Sequence, residues 1–95
     1  MEIKQHSENT KGAFYIEEDN ELLAEMTYVL SGSDKMIIEH TEVNNKLAGK
    51  GIGKQLVAKG VDFARAHNLK IIPYCSFAKA LFEKIPEFRD VLFKN

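Results

Sequence analysis

The chain has 95 residues, 44% hydrophobic and 28% charged, with a formal net charge of −1 at pH 7. That length bounds it to one domain spanning residues 1–95, with a modest core, since chains of this size bury roughly two thirds or less of their unfolded surface. The missing basic excess argues against nucleic acid as a partner, and no apolar run approaches the ~20 residues of a membrane helix.

The N-terminal stretch MEIKQHSENTKGAF is polar and lacks the apolar centre of a signal peptide. A short strand near residues 2–5 opens the chain. AFYIEE and ELLAEMTYVL then read as strands joined by a hairpin turn at Asp19-Asn20. In the second run Leu22, Ala24, Met26, Tyr28 and Leu30 alternate with Leu23, Glu25, Thr27 and Val29, the period of a strand with one drier face. SGSD makes the next turn, and the β-branched run KMIIEHTEV gives a third long strand.

After Val43 the character changes. NNKLAGKGIGK is a loop by its Asn and Gly content. Over residues 51–67 the apolar positions 52, 56, 57, 60, 61 and 64 have helical spacing with one face towards a sheet. Gly60 on that face points to close backbone packing, and Asn68 suits a left-handed cap. LKIIPYC is a short strand, with Pro73 marking a bulge or an edge. Ser76 caps a second helix, FAKALFEK, that ends before Pro86, and EFRDVLFKN follows as a strand or a turn. Phe63, Phe77, Phe82 and Phe88 read as core. The fold class is therefore α+β, an α/β sandwich: an antiparallel N-terminal meander, then β-α-β-α with a crossover helix into a parallel strand.

The lone cysteine, Cys75, excludes an internal disulfide and fits a reducing, cytoplasmic location. His6, His40 and His67 are scattered with no cysteine pair near them, so no metal site is expected.

LAGKGIGKQL, residues 47–56, is the stretch that carries chemistry. A Walker loop needs four residues between its first Gly and Gly-Lys and then Ser or Thr; here Gly49 and Gly53 enclose three, and Gln55 follows Lys54. A G-x-G-x-x-G dinucleotide fingerprint fails at Lys54 when started at Gly49 and at Leu56 when started at Gly51. What fits is more general: glycines that turn backbone N–H groups towards one point, at a helix N-terminus. Lys46, Lys50, Lys54 and Lys59 make residues 43–61 a basic island without an acid. A pyrophosphate cradle is the expected role.

NNKLAGKGIGKQLVAKGVDFA, preceded by a strand ending EHTEV, resembles the acetyl-CoA-binding region of GNAT-type acetyltransferases, whose loop is written Q/R-x-x-G-x-G/A. Gly51 and Gly53 take the glycine positions, and Ala48 stands where Gln or Arg is usual, a departure that Lys46 or Lys50 would compensate. With KIIPYCSFAKALFEK and PEF, the chain resembles a small stand-alone GNAT subfamily over roughly residues 10–90. The resemblance implies an acetyl-CoA-dependent N-acetyltransferase with acetyl-CoA as its cofactor. It implies a splayed parallel strand pair with CoA in the V between IIEHTEV and LKIIPYC. Backbone groups near Thr41 and Val43 would pair with the pantetheine arm. The pyrophosphate would rest on N–H groups of Gly49, Lys50, Gly51, Ile52, Gly53 and Lys54, and the thioester would lie near Cys75 and Ser76. Lys79 would reach a phosphate or pantetheine oxygen.

For catalysis, His40 and Glu42 lie two apart on one strand, share a face, and are candidates for the base that keeps the amine neutral. Cys75 stands beside a helix start that lowers a thiol pKa, so it is expected to line the CoA thiol end or to accept the acetyl group itself. The family's usual tyrosine acid is replaced by Phe82, with Tyr74 nearby. TKGAFYIEEDNELL leaves no room for the helices that normally build the acceptor pocket, so that site is open or completed by a partner or second copy. The acceptor is an amine, on a small molecule or on a protein lysine or N-terminus, and the chain is a monomer or weak homodimer. The alternatives are a CoA-binding module with little or no catalysis, acting through a protein partner, and a nucleotide binder of another kind.

Overall fold

A computed structural model describes residues 1–94. Five strands, β1 (Lys4–Glu8), β2 (Lys11–Glu18), β3 (Glu21–Ser31), β4 (Lys35–Val43) and β5 (Lys70–Pro73), form one sheet in chain order. The first four pair antiparallel, and β5 runs parallel to β4. Asp19 and Asn20 both adopt positive φ, +52° and +63°, the primed geometry of a two-residue hairpin loop. A 3-10 turn, Asn45–Leu47, leads to helix α1 (Ile52–Ala66), which crosses over to β5; α2 (Ser76–Lys84) follows. The tail, expected as a strand or turn, is a second 3-10 helix, Pro86–Val91, after which Leu92 bridges Ile71 alongside β5. Pro86 sets the φ of its first turn and bars α2 from continuing.

The sheet's inner face carries Phe14, Ile16, Met26, Tyr28, Met36 and Ile38, all buried with Leu56, Val57, Val61 and Ala64 of α1. Gly60 allows α1 to seat this closely, since a Cβ there would lie 2.8 Å from the Met26 methyl. Ala78 and Phe82, four apart on α2, join the same buried cluster. Asn68 takes a positive φ of +56° just beyond α1.

Two bulges modify the alternation read from the sequence. Ile16 pairs with Ala24 and Glu17 with Leu22, so Leu23 is the extra residue on β3. Leu23 is buried and Leu22 is 49% exposed, which corrects the expectation that Leu22 shares the dry face. On β4, Ile38 opposes Tyr28 and His40 opposes Thr27, leaving Glu39 as the extra residue. The parity of β4 reverses there. Met36 and Ile38 point to the core before the bulge, and Thr41 and Val43, opposite Met26 and Ala24, do so after it. His40 and Glu42 consequently project from the outer face, which no described helix covers.

Candidate functional site

The parallel ladder between β4 and β5 runs from Lys35↔Lys70 to Ile38↔Pro73 and stops. The carbonyl of Ile38 then accepts from the N–H groups of both Tyr74 (2.9 Å) and Cys75 (3.3 Å) as the chain turns into α2. The missing N–H of Pro73 costs this ladder nothing, because the backbone N–H positions of residues 71 and 73 face away from β4 and Tyr74 still bonds Ile38; the pairing ends where the chain turns into α2 and β4 bulges at Glu39. Beyond the bulge, β4 pairs with β3 alone, and its other edge over residues 39–43 faces an open V. Such an edge presents unpaired backbone donors and acceptors to an extended ligand.

Below the V lies a cleft of about 400 Å³ lined by Val43, Ala48, Gly49, Gly51, Ile52, Gly53 and Lys54, together with Leu47, Phe77 and Leu81. Gly49 and Gly51 have φ of +78° and +71°, values that a Cβ disfavours, and Gly51 is the N-cap of α1 with no side-chain cap. Gln55 makes the first helical hydrogen bond, to the Gly51 carbonyl at 3.1 Å. Among the described residues the N–H groups of residues 49–54 meet no acceptor. Free donors, a helix N-terminus and an open concavity fit a pyrophosphate bound without a metal. No group of His, Cys, Asp and Glu side chains among the described residues could hold a metal ion.

The lysines do not all serve this cleft. Lys54 lines it, and Lys50 is exposed beside it. Lys46 is paired with Glu21 at 2.9 Å, both side chains exposed. Lys79 and Ser76 are exposed on α2, and neither lines the cleft. Ser76 does not cap α2 either: Cys75 occupies the N-cap position, with its sulfur towards the N–H groups of Phe77 and Ala78 in the first turn. Phe77, expected in the core, is 43% exposed, with its ring across Gly53, where a Cβ would come within 2.5 Å of it. The buried stripe of α2 is Ala78 and Phe82, so Phe77 and Leu81, one position earlier in each turn, face the cleft. That helical phase is the signal that would have found them.

At the head of the V, Cys75 Sγ lies 3.6 Å from Thr41 Oγ1. Partial burial works to raise the Cys75 thiol, but the backbone N–H groups of Ala78 and Phe77 and the Thr41 hydroxyl outweigh it and hold the thiol below its ordinary value. On the outer side of the same strand, His40 Nε2 and Glu42 Oε1 are 2.9 Å apart, both exposed. The bulge thus sets His40 and Thr41 on opposite sides of β4 at the point where the strands part.

The sequence profile of the GCN5-related N-acetyl-transferases matches residues 13–91. A GCN5-like protein of Staphylococcus aureus, solved in solution, is 39% identical and superposes over 98% of this chain and 90% of its own with a TM-score of 0.75. The fold also resembles that of a ribosomal-protein-alanine N-acetyltransferase of Brucella melitensis, at 20% identity over 82% of this chain and 62% of that one, TM-score 0.65. It likewise resembles a GNAT family acetyltransferase of Elizabethkingia anophelis with acetyl-CoA bound, at 18% identity over 79% and 52%, TM-score 0.63. No curated protein matches the chain. With a family profile spanning most of its length and a mixed, splayed sheet to match, the chain belongs to the GCN5-related N-acetyltransferases, acetyl-CoA-dependent enzymes that acetylate amines.

Proposed function

We propose that the chain acetylates an amine presented at the outer mouth of the V, with acetyl-CoA held by the cleft and the free edge of β4. The observation that carries this is the pairing of two unused donor sets: the N–H groups of residues 49–54 and the β4 edge that β5 leaves at Ile38. The cleft residues Val43, Ala48, Gly49, Gly51, Ile52, Gly53 and Lys54, with Lys50 beside them, would take the pyrophosphate, and Thr41 and Val43 the pantetheine arm. Bound acetyl-CoA supplies a thioester whose carbonyl carbon takes the amine nitrogen and whose thiolate departs.

The chain's own residues then move protons. His40, with Nε2 against Glu42 Oε1 at 2.9 Å, would take a proton from the acceptor ammonium at its other ring nitrogen. Cys75, with Thr41 on its sulfur, is the proton donor at the thiol end, a role that tyrosine fills elsewhere and that Phe82, buried in the core, cannot.

The test is titration of the 15N-labelled chain with acetyl-CoA and with CoA, followed by thiol-release assays on an amine panel. Shifts at residues 41–43 and 49–54 are expected. No binding at millimolar ligand overturns the proposal, and binding without turnover on any amine assigns the chain to the CoA-binding modules instead.

A further inference from the structure

The outer sheet face was left without a covering helix, and its side chains are neither random nor neutral. Across three adjacent strands, Tyr15, Glu25 and Glu42 are direct neighbours in the ladder, with Glu17 opposite Leu22 one step along. Glu25 and Glu42 therefore face each other, a like-charge pairing that normally destabilises a sheet. Glu42 has His40, but Glu17 and Glu25 have no ion pair among the described residues. Of the basic groups around them, Lys4 stands opposite Tyr15 at the far edge of the row, Lys46 is engaged with Glu21, and His6 lines the same depression as Glu17 and Glu25. Between these acids lies a shallow depression of about 290 Å³ floored by Tyr15 and Leu22.

We propose that this face docks the acceptor, and that the acceptor is a lysine within an extended basic polypeptide segment. The proposal rests on the acetyl-transfer reading above and names its substrate class. The charge is complementary, and Tyr15 and the exposed Leu22 offer apolar surface to a lysine stem. An open, unwalled face does not enclose a small amine as small-molecule pockets do, whereas a polypeptide gains contact by spreading over the strands. The row from β2 to β4 spans about 10 Å, or roughly three extended residues. A lysine presented at His40 thus places a second basic residue two or three positions away over Glu25 and Glu17.

The experiment uses the full chain and a nine-residue peptide with one lysine and an arginine three positions away. Its counterpart has glutamate in place of the arginine, and spermidine serves as the small-amine arm. The basic peptide should bind roughly tenfold tighter than the acidic one at low salt, shift the amides of Tyr15, Leu22 and Glu25, and lose most of its advantage at ~0.5 M salt. Glu17→Gln with Glu25→Gln, both exposed-face changes, should reduce the preference to about twofold while acetyl-CoA still shifts residues 49–54. Unchanged preference in that double variant, shifts confined to another surface, or acetylation of spermidine in preference to the peptide overturns the proposal. Absence of acetyl-CoA shifts at residues 49–54 in the parent chain instead overturns the acetyl-transfer reading, while peptide binding tests the docking face separately.

Discussion

The Thr41 hydroxyl and the Cys75 sulfur meet at 3.6 Å across the point where β4 and β5 part. The contact joins residues 34 apart in sequence, and it exists because the bulge at Glu39 turns Thr41 to the side that Cys75 occupies. Removing the hydroxyl removes a hydrogen bond that favours the thiolate, while the N–H groups of Ala78 and Phe77 remain. Thr41→Val should therefore raise the Cys75 pKa. The rate of thiol alkylation against pH reads this directly. A profile identical to that of the parent chain would show that Thr41 does not act on the sulfur.

How far this site could be read beforehand depends on the kind of signal. The glycine loop is local: spacing alone excluded the ATP and dinucleotide patterns, and Gly49 and Gly51 adopt the positive φ that glycine takes without steric cost. The pairing of His40 with Glu42 is also local, since the bulge lies before both and leaves their common face intact. The contact of Thr41 with Cys75 is not local. It depends on one extra residue at Glu39, and no single-residue preference marks a bulge in a run as regular as KMIIEHTEV. Phe77 was misread for a related reason: aromatic residues default to the core, and only the phase of Ala78 and Phe82 turns it outward. The pairing of Lys46 with Glu21 was not legible from the basic island, because Glu21 arrives from a distant hairpin.

Gly12 tests the packing behind the site. A Cβ at Gly12 would collide with the Tyr28 ring, whose hydroxyl accepts from Gln5 Nε2 at 2.8 Å. The ring is fully buried among Phe14 and Phe63, so it has nowhere to retreat. Gly12→Ala should destabilise the chain by about 1–3 kcal/mol, read as a lower urea midpoint with an unchanged slope. A change of a few tenths would mean that the ring repacks freely.

Asp90 ties the C-terminal 3-10 helix to α1 through Arg65, with two oxygens within 2.9 Å of the guanidinium. The hydrogen bond from Arg65 holds the Asp90 carboxyl below its ordinary value. A folded-state pKa below the unfolded one gives stability that is complete above the unfolded value. That stability is lost as pH falls through the ordinary carboxylate range, about pH 4, towards the folded value. Asp90→Asn should thus lower Tm slightly at pH 7 and flatten the acid limb below about pH 5. Equal Tm differences at pH 7 and pH 3 would mean that the pair contributes no pH dependence.

Gly51 and Gly53 serve the cleft in different ways, and the same substitution separates them. At Gly51 nothing lies within 4 Å of a new Cβ, but φ is +71°, so alanine meets only backbone strain. Gly51→Ala should cost about 1–2 kcal/mol in stability, and Gly51→Asn less, because asparagine tolerates the left-handed region. At Gly53 the backbone is helical and the obstacle is the Phe77 ring, 2.5 Å from a Cβ. The ring is partly exposed and can swing away, so Gly53→Ala should leave stability within about 1 kcal/mol, alanine also being the better helix former. The displaced ring instead changes the wall of the cleft. Acetyl-CoA affinity should fall about tenfold in Gly53→Ala, and Phe77→Ala added to it should restore part of that loss, a non-additivity expected of residues in contact. Strict additivity of the two changes, measured by calorimetric titration, would separate Phe77 from the cleft and leave Gly53 a purely backbone position.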